Sequence, residues 1–347
     1  MKFPRKLVLP LGSIIAIMMM GFTCQTSESG SLPKSTADYV SQVPFEADIY
    51  RSILERFSSE PHPFGSAAQL RAAALIEEEL KKQSIPMKRQ SFVAKVPNPV
   101  LLKNPNAPAS LTIDIQGANL IADVGSDKPC VILFGSHYDT KIMEGFSYLG
   151  ANDSGSSSVA LLWIAKVLKN YQALSKLPCD FSLVWFDGEE SYLPEWNDGL
   201  TRHPAKIQDN THGSRYYVKN LKACGPHFCQ PNTNRRVVGL ILLDMIGSPN
   251  VQLTRDLNSS QDWLAKAIRL AEEFKWPVYG ERKSAVSDDH IPFRNRGIQA
   301  IDLIDMNNMQ YWHRPGDDPE NVSMKSIELV SRLAIALAME INREQTK

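Results

Sequence analysis

Continuous apolar stretches alternate with amphipathic segments along most of this chain. Residues 131–134, 181–186 and 237–243 are rich in β-branched and aromatic side chains without polar alternation, which is typical of strands buried on both faces of a parallel sheet. The segments 156–170 and 261–274 instead repeat apolar residues with helical spacing. We therefore predict an α/β fold, a three-layer α/β/α arrangement around a central, mostly parallel mixed sheet.

Further predicted elements extend this alternation. Helices are predicted at 39–57, 67–82, 214–223 and 325–341, and strands at 89–95 and 298–304. A hairpin is predicted from 111–115 and 118–124, joined at Gln116-Gly117, because glycine is frequent in tight turns. A long loop from 192 to 211, rich in Pro, Trp, Asn and Gly, is expected to be a binding loop.

The first residues differ in composition from the rest. Residues 1–23 have a basic start and an apolar stretch shorter than a membrane span of about 20 residues, so we predict a signal peptide. Cys24 follows at a position that a lipoprotein signal would lipidate, with ordinary cleavage as the alternative. The Ser-rich segment 24–38 is predicted to be a flexible tether before one domain at 39–347. We expect export, periplasmic or secreted, with membrane contact only through the signal or a lipid anchor.

Charge and hydrophobic content limit the function classes. The chain has 347 residues, of which 43% are hydrophobic, and its basic and acidic residues number 38 each. Loss of the predicted leader removes Lys2, Arg5 and Lys6, which leaves the mature chain mildly acidic. The sequence has no basic stripe interleaved with aromatic residues, so we expect no nucleic-acid partner.

With Cys24 set aside as a possible lipid site, four cysteines remain, an even number, as expected for disulfides in an oxidising compartment. Cys224 and Cys229 would close a small loop, while Cys130 and Cys179 each precede a predicted strand. Two bridges are therefore predicted. The alternative is a zinc knuckle of Cys224, His227 and Cys229, although the sequence offers no fourth ligand nearby.

Acidic and histidine residues stand where the predicted strands end. His137 follows the first apolar strand, Glu189 and Glu190 follow the second, and Asp244 follows the third. Because the carboxyl ends of parallel strands meet at one edge of a sheet, these side chains should converge there. Carboxylates and imidazoles gathered in one crevice favour a bound cation. The sequence therefore predicts a zinc site.

Asp153, Glu190 and His313 fit the three protein ligands of a catalytic zinc, which keeps one position open. Each residue alone has an ordinary explanation as a helix cap, a turn residue or a surface histidine. Neighbouring side chains after a strand point in different directions, so only one of Glu189 and Glu190 can readily bind the ion. The other, Glu189, is then the candidate general acid/base.

Further polar residues are expected around this centre. Asp244 and Asp288 are predicted to support Glu189 through hydrogen bonds. The alternative is that Asp288-Asp289-His290 forms only a salt-bridged loop. His137, together with Asp244, fits a second metal site in which Asp139 orients the imidazole. Asp139 could equally orient His137 as a plain hydrogen-bond donor. Whether the site holds one zinc or two stays open at this point.

These motifs resemble those of the zinc-dependent glutaminyl-peptide cyclotransferases, which belong with the co-catalytic zinc aminopeptidases in one superfamily. The resemblance covers roughly residues 50–341. Both branches share five of its motifs: His137-Tyr138-Asp139, Asp153-Ser154, Asp187-Gly188-Glu189-Glu190, Leu243-Asp244 and the late His313. The order of these motifs implies a zinc aminopeptidase-like fold, with residues 39–347 as a single zinc-dependent catalytic domain.

Three features favour the cyclotransferase branch. Asp288-Asp289-His290 looks like its doubled-aspartate motif, Trp312 directly precedes His313, and Trp196 lies in the loop where that branch places a pocket tryptophan. The resemblance implies that Trp196 and Trp312 line the substrate pocket. It departs at Ser136, where animal relatives often have a disulfide-bonded cysteine, and at Asn308 and Tyr311 on a variable rim.

The resemblance implies that Asp153, Glu190 and His313 hold one zinc, that Glu189 moves the proton, and that Asp244 and Asp288 support it. The expected reaction converts an amino-terminal glutamine of a peptide into pyroglutamate and releases ammonia, with the enzyme acting as a monomer. One alternative is an aminopeptidase in which His137, Asp153 and Asp244 hold a second zinc. Another is a binding ectodomain without catalytic activity.

Overall fold

Four parallel strands form the centre of the main sheet. In this computed structural model, which describes residues 34–125, 127–171 and 173–346, they are, from one side to the other, β4 (Asp180–Phe186), β3 (Cys130–His137), β7 (Arg236–Asp244) and β10 (Gln299–Ile304). Every residue of β3 and β4 is buried, because helices cover both faces of the sheet. The predicted central strands are therefore confirmed.

Antiparallel strands extend this parallel centre on both sides. β1 (Met87–Pro97) pairs with β2 (Thr112–Val124), and β2 pairs with β4. On the other side, β5 (Lys222–Cys224) and β6 (His227–Cys229) form a short hairpin next to the start of β7. A separate parallel pair consists of β8 (Leu253–Asp256) and β9 (Tyr279–Ser284).

The helices connect these strands. They are α1 (Lys34–Gln42), α2 (Ala47–Phe57), α3 (Ala67–Lys82), α4 (Pro99–Lys103), α5 (Ser157–Asn170), α6 (Asp198–Thr201), α7 (His212–Lys219), α8 (Gln261–Glu273), α9 (Ile291–Asn295) and α10 (Met324–Glu344). Short helical turns lie at Ala151–Ser156, Leu174–Lys176 and Pro319–Asn321. The predicted helix 67–82 matches α3, which begins where the Ser66 hydroxyl accepts a hydrogen bond from Gln69 N at 3.0 Å.

Two hydrophobic cores lie on opposite faces of the sheet. Ile132 and Phe134 belong to the larger core, which includes residues of α2, α3, α5, α8 and α10. The alternate residues Val131 and Leu133 belong to the smaller core, which includes residues of α7 and α9. This alternation follows from the two-residue period of a strand. The predicted three-layer α/β/α arrangement is confirmed.

The predicted hairpin at Gln116-Gly117 is wrong. Residues 112–124 form one strand, β2, which pairs with β1 along its whole length. A Cβ atom on Gly117 would lie 2.7 Å from atoms of both Phe64 and Phe92. Gly117 is therefore needed for the close approach of two aromatic rings and not for a turn.

The predicted single helix at 39–57 is also wrong, because α1 ends at Gln42 and α2 begins at Ala47. Pro44 lies between them and cannot donate a helical hydrogen bond, while its carbonyl accepts from Trp163 Nε1 at 3.1 Å. Because α1 begins at Lys34, the last residues of the predicted tether 24–38 are helical. The predicted signal peptide 1–23 and Cys24 lie outside the described residues.

Two disulfides, Cys130–Cys179 and Cys224–Cys229, join the predicted pairs of cysteines. The alternative of a zinc knuckle with His227 is therefore wrong, since both of its cysteines are bonded to each other. No helix among the described residues is both long and apolar enough to cross a membrane.

The two disulfides close loops of very different length, and we expect them to differ in stabilising effect. Replacing both Cys130 and Cys179 with Ala opens a separation of 49 residues, which should lower the free energy of unfolding by about 4 kcal/mol on the chain-entropy relation. The matched pair, Cys224 and Cys229, is separated by only 5 residues, so its replacement should cost about 2 kcal/mol. Urea unfolding of both variants tests this order, and a reversed order would contradict it.

Candidate metal centre and pocket

The predicted site residues meet at the carboxyl edge of the parallel strands. His137 and Asp244 are the last residues of β3 and β7, and Glu189 and Glu190 follow β4 after a short turn. Asp153 lies in the helical turn that precedes α5. These side chains come together because all three strands run in the same direction.

Asp153, Glu190 and His313 form one compact group. His313 Nε2 lies 2.9 Å from Glu190 Oε1 and 3.5 Å from Asp153 Oδ2. One donor atom from each of the three residues lies within 4.8 Å of the other two. Two carboxylates and one imidazole are donors that zinc can bind, and the structure brings these three predicted ligands together.

His137, Asp153 and Asp244 form a second group of the same kind. His137 Nε2 lies 3.1 Å from Asp153 Oδ1 and 3.3 Å from Asp244 Oδ1. Asp153 therefore takes part in both groups, with one carboxylate oxygen directed to each imidazole. Despite this proximity, Asp244 Oδ1 is buried and accepts no hydrogen bond from any of the residues that the structure describes, which is the situation of a carboxylate that lacks a cation partner.

Asp139 orients both His137 and the turn that carries the glutamates. His137 Nδ1 is 3.1 Å from the backbone carbonyl of Asp139, so a proton on Nδ1 leaves the lone pair of Nε2 for a metal. The Asp139 carboxylate accepts hydrogen bonds from the backbone N–H groups of Glu189 at 3.1 Å and Glu190 at 3.2 Å. The sequence had left open whether Asp139 orients His137 as a metal ligand or as a plain hydrogen-bond donor.

The turn after β4 is held from a second direction by the start of α7. Thr211, His212 and Gly213 donate backbone hydrogen bonds of 2.8 Å to the carbonyls of residues 189, 188 and 187, respectively. Gly188 has a φ of +65°, a conformation that glycine adopts without a Cβ penalty. The backbone that presents Glu189 and Glu190 is therefore fixed by its neighbours.

The site contains more carboxylates than imidazoles, and its pKa values reflect this. Burial raises the pKa of Glu189 well above its usual range, and the charge of Asp288 adds to the effect. Burial also raises the pKa of Asp244 to about 7. Although burial opposes it, Glu190 and Asp153 raise the pKa of His313 to about 10. Such a group of buried acids favours the presence of a cation.

A cavity of about 250 Å³ opens beside these residues. Glu189, Asp288, Trp196 and Trp312 all line it. The Trp312 ring stacks on the His313 imidazole, with 4.4 Å between their centroids. The two predicted pocket tryptophans are thus next to the predicted ligands, whereas Asn308 and Tyr311 line a smaller neighbouring cavity.

The doubled-aspartate segment directs its residues to different places. Asp288 lines the cavity, whereas Asp289 accepts a hydrogen bond from the Ser214 hydroxyl. His290 is fully buried between two carboxylates, 3.2 Å from Asp256 and 3.6 Å from Asp302. The alternative of a salt-bridged loop thus describes His290, while Asp288 belongs to the pocket. Support of Glu189 by Asp244 and Asp288 stays a prediction.

Lys141 is a site residue that the sequence analysis missed. Its side chain is buried, and Nζ donates to the Ser191 hydroxyl and to the carbonyls of Ser191 at 2.5 Å and Leu193 at 2.8 Å. It therefore fixes the residues directly after Glu190. Its position two residues after Asp139 was the available signal, but a lysine near a predicted cation site gives no reason to expect burial.

The chain is similar in sequence to known proteins. A profile of peptidase family M28 matches residues 119–338. The glutaminyl-peptide cyclotransferase of Drosophila melanogaster is 26% identical over 245 residues, a match that covers 64% of each chain. The matched region thus spans just under two thirds of that relative.

Solved structures have the same fold at low sequence identity. A glutaminyl cyclase from an Acidobacteriales bacterium is 24% identical, with a TM-score of 0.68 over 86% of this chain and 96% of that chain. A Zn-dependent exopeptidase from Parabacteroides distasonis is 20% identical, with a TM-score of 0.65 over 84% of this chain and 98% of that chain. Both likenesses concern the fold.

We expect Lys141→Met to destabilise the protein because three oxygen acceptors around Nζ lose a charged donor. Each such hydrogen bond contributes about 1.5 to 3 kcal/mol, so the free energy of unfolding should fall by at least about 2 kcal/mol. Lys103→Met is the matched control, since Lys103 pairs with Glu144 on the surface, where both side chains are at least 70% exposed. Urea unfolding that gives the two variants equal stability would refute the role of Lys141.

Proposed function

Since the chain belongs to peptidase family M28, we propose that it is a zinc-dependent glutaminyl-peptide cyclotransferase. It converts the amino-terminal glutamine of peptides or proteins into pyroglutamate and releases ammonia. The similarity to the cyclotransferase of Drosophila melanogaster supports this choice within the family. Peptide hydrolysis is the alternative reaction.

The observation that carries the proposal is the cavity that Trp196 and Trp312 line beside the metal-binding group. Its volume of about 250 Å³ lies below the range of roughly 300 to 1,000 Å³ of pockets for drug-sized ligands. This size suits one amino-acid side chain together with its α-amine. Flat aromatic walls favour the compact substrate conformation in which the amine approaches its own side-chain amide.

Asp153, Glu190 and His313 would hold the zinc ion. A zinc ion in this position supplies a positive charge that polarises the side-chain amide carbonyl of the substrate. The remaining steps depend on residues of the chain. The α-nitrogen and the amide carbon belong to the same substrate residue, and the cavity would hold them close together. Their reaction therefore needs no encounter between two molecules.

Glu189 is positioned to move the proton. It lines the cavity but belongs to neither metal-binding group. An α-amine with a pKa of about 8 is largely protonated at neutral pH, so a base must accept a proton before the nitrogen attacks. The bond from nitrogen to the amide carbon forms, the bond to the leaving nitrogen breaks, and Glu189 gives its proton to that nitrogen as ammonia departs. The Glu189 carboxylate then accepts the second proton of the ring nitrogen, which leaves a neutral lactam, and passes it to solvent.

The tryptophans also affect which nucleophile reacts. The Trp312 ring covers one face of the His313 imidazole, and Trp196 lines the same cavity. The apolar walls that these two tryptophans provide would exclude water that could otherwise attack the amide. Cyclisation is therefore favoured over hydrolysis to glutamate.

An aminopeptidase is the second candidate function, and the group of His137, Asp153 and Asp244 favours it. A carboxylate shared between two groups of metal-binding side chains suits two ions. In that case Glu189 would accept a proton from water, which would then attack a peptide bond. The two functions use the same base and differ in the attacking group.

We further propose that the protein acts outside the cytoplasm as a monomer, periplasmic or secreted. Two disulfides support export. Contact with a membrane would occur only through the signal peptide 1–23 or a lipid on Cys24. Its partners would be peptides and proteins with an exposed amino-terminal glutamine.

The substrate assay separates the two functions. We expect the purified protein to release ammonia from a glutaminyl dipeptide and to leave a product whose amino terminus is blocked. Leucyl peptides serve as the comparison, and they should yield no free leucine. Release of amino acids from leucyl peptides without ammonia from glutaminyl peptides would overturn the cyclotransferase in favour of the aminopeptidase.

Glu189→Gln and His313→Ala should separate proton transfer from metal binding. Glu189→Gln keeps all the proposed ligands, so we expect unchanged zinc content and a loss of turnover of about 100-fold or more. His313→Ala removes a ligand, so both zinc and turnover should be lost. Zinc per chain is measured by elemental analysis next to the ammonia assay. Equal zinc loss in the two variants would contradict this division of roles.

A further inference from the structure

The buried hydroxyl of Tyr148 contacts Asp153, one of the three proposed zinc ligands. Tyr148 is only 2% exposed, and its hydroxyl oxygen lies 3.0 Å from Asp153 Oδ2 and 3.1 Å from Asp317 Oδ2. The ring stands edge-on to the His313 imidazole, with 5.8 Å between centroids and an interplanar angle of 89°. Tyr148 thus touches two of the three proposed zinc ligands.

Asp317 holds the backbone of the same turn. Its Oδ1 accepts a hydrogen bond from Asn152 N at 2.6 Å, and its Oδ2 accepts one from Asp153 N at 3.2 Å. Because Asp317 already receives two N–H groups, it depends less on the phenol than Asp153 does. The hydroxyl has one proton, and its oxygen can accept from His313 N at 3.4 Å.

Asp153 Oδ2 has few other partners. Within residues 34–125, 127–171 and 173–346, no other hydroxyl or amide donates a hydrogen bond to it, and its remaining neighbour is His313 Nε2 at 3.5 Å. The phenolic proton is therefore directed to Asp153 Oδ2. This bond restricts rotation of the carboxylate that both metal-binding groups share.

We propose that Tyr148 is a positioning residue that holds the Asp153 carboxylate ready for zinc, with Asp317 fixing the backbone of the same turn. A carboxylate ligand that is already oriented loses less freedom when the ion binds. Partners of this kind typically change metal affinity by about 10- to 100-fold when they are removed. The proposal rests on the metal-binding part of the proposed function and not on the choice between cyclisation and hydrolysis.

Tyr148→Phe removes the hydroxyl and keeps the ring against His313. We expect its zinc dissociation constant, measured by competition with a chromogenic chelator, to rise by at least about tenfold. Thermal unfolding of the zinc-free protein should change little by comparison. Tyr217→Phe is the matched control, since Tyr217 is also a buried tyrosine, bonded through its hydroxyl to Gln230 Nε2, and it contacts no proposed ligand.

The outcomes distinguish this inference from the proposed function. Zinc affinity of Tyr148→Phe within threefold of the unsubstituted protein, or an equal loss in Tyr217→Phe, overturns the role of Tyr148 alone. Failure of the unsubstituted protein to bind zinc overturns the metal site as well.

If circular dichroism shows that Tyr148→Phe does not fold, Asp317→Asn takes its place. This variant keeps Oδ1 for Asn152 N but replaces the Oδ2 acceptor of Asp153 N with an amide nitrogen. Its zinc dissociation constant should also rise about tenfold. An unchanged constant would refute the proposal that Tyr148 and Asp317 together position Asp153.

Discussion

The carboxylate of Asp153 is the feature on which the site depends. It is buried between two imidazoles, with Oδ1 directed to His137 and Oδ2 to His313. A buried carboxylate is unfavourable unless positive charge or hydrogen-bond donors surround it. The surrounding residues meet this need in part, with an imidazole on each side and the Tyr148 phenol as a further donor. The excess of carboxylates nearby leaves room for the positive charge of a metal ion.

The parallel sheet makes this concentration of charge feasible. Strands β3 and β4 are buried along their whole length, and the ionisable side chains of the site lie where strands end: His137 ends β3, Asp244 ends β7, and Glu189 and Glu190 follow β4. Because the three strands end at one edge, the polar residues that follow them must share one crevice. Packing of the buried sheet therefore offsets the repulsion between the nearby carboxylates. Each carboxylate needs only a short turn after its strand to reach its position.

The sequence allowed the proximity of these acidic and histidine side chains to be predicted because chemistry and periodicity agreed, while their role as metal ligands stays a prediction. His137 and Asp244 end apolar runs, and the position of a strand end is easy to recognise. The hairpin at Gln116-Gly117 was wrongly predicted because a glycine that makes room for Phe64 and Phe92 looks the same in sequence as a turn glycine. Pro44 was a signal for the break between α1 and α2, because proline cannot donate the hydrogen bond of a continuous helix. Lys141 was missed because its partner Ser191 is distant in the chain and becomes a neighbour only in the folded protein. Tyr148 lies only five residues before its partner Asp153, but nothing in that spacing predicts that the hydroxyl reaches the carboxylate.

The loop that contains Trp196 begins and ends at the same turn. Lys141 holds Ser191 and Leu193 at its start, while the backbone of Thr211 bonds to the carbonyl of Glu189 at its end. These two anchors fix both ends of the loop independently of its middle, so a substitution at Trp196 should alter the pocket wall without displacing the backbone that presents Glu189. Side-chain preference and proton transfer are in this way assigned to separately anchored parts of the chain.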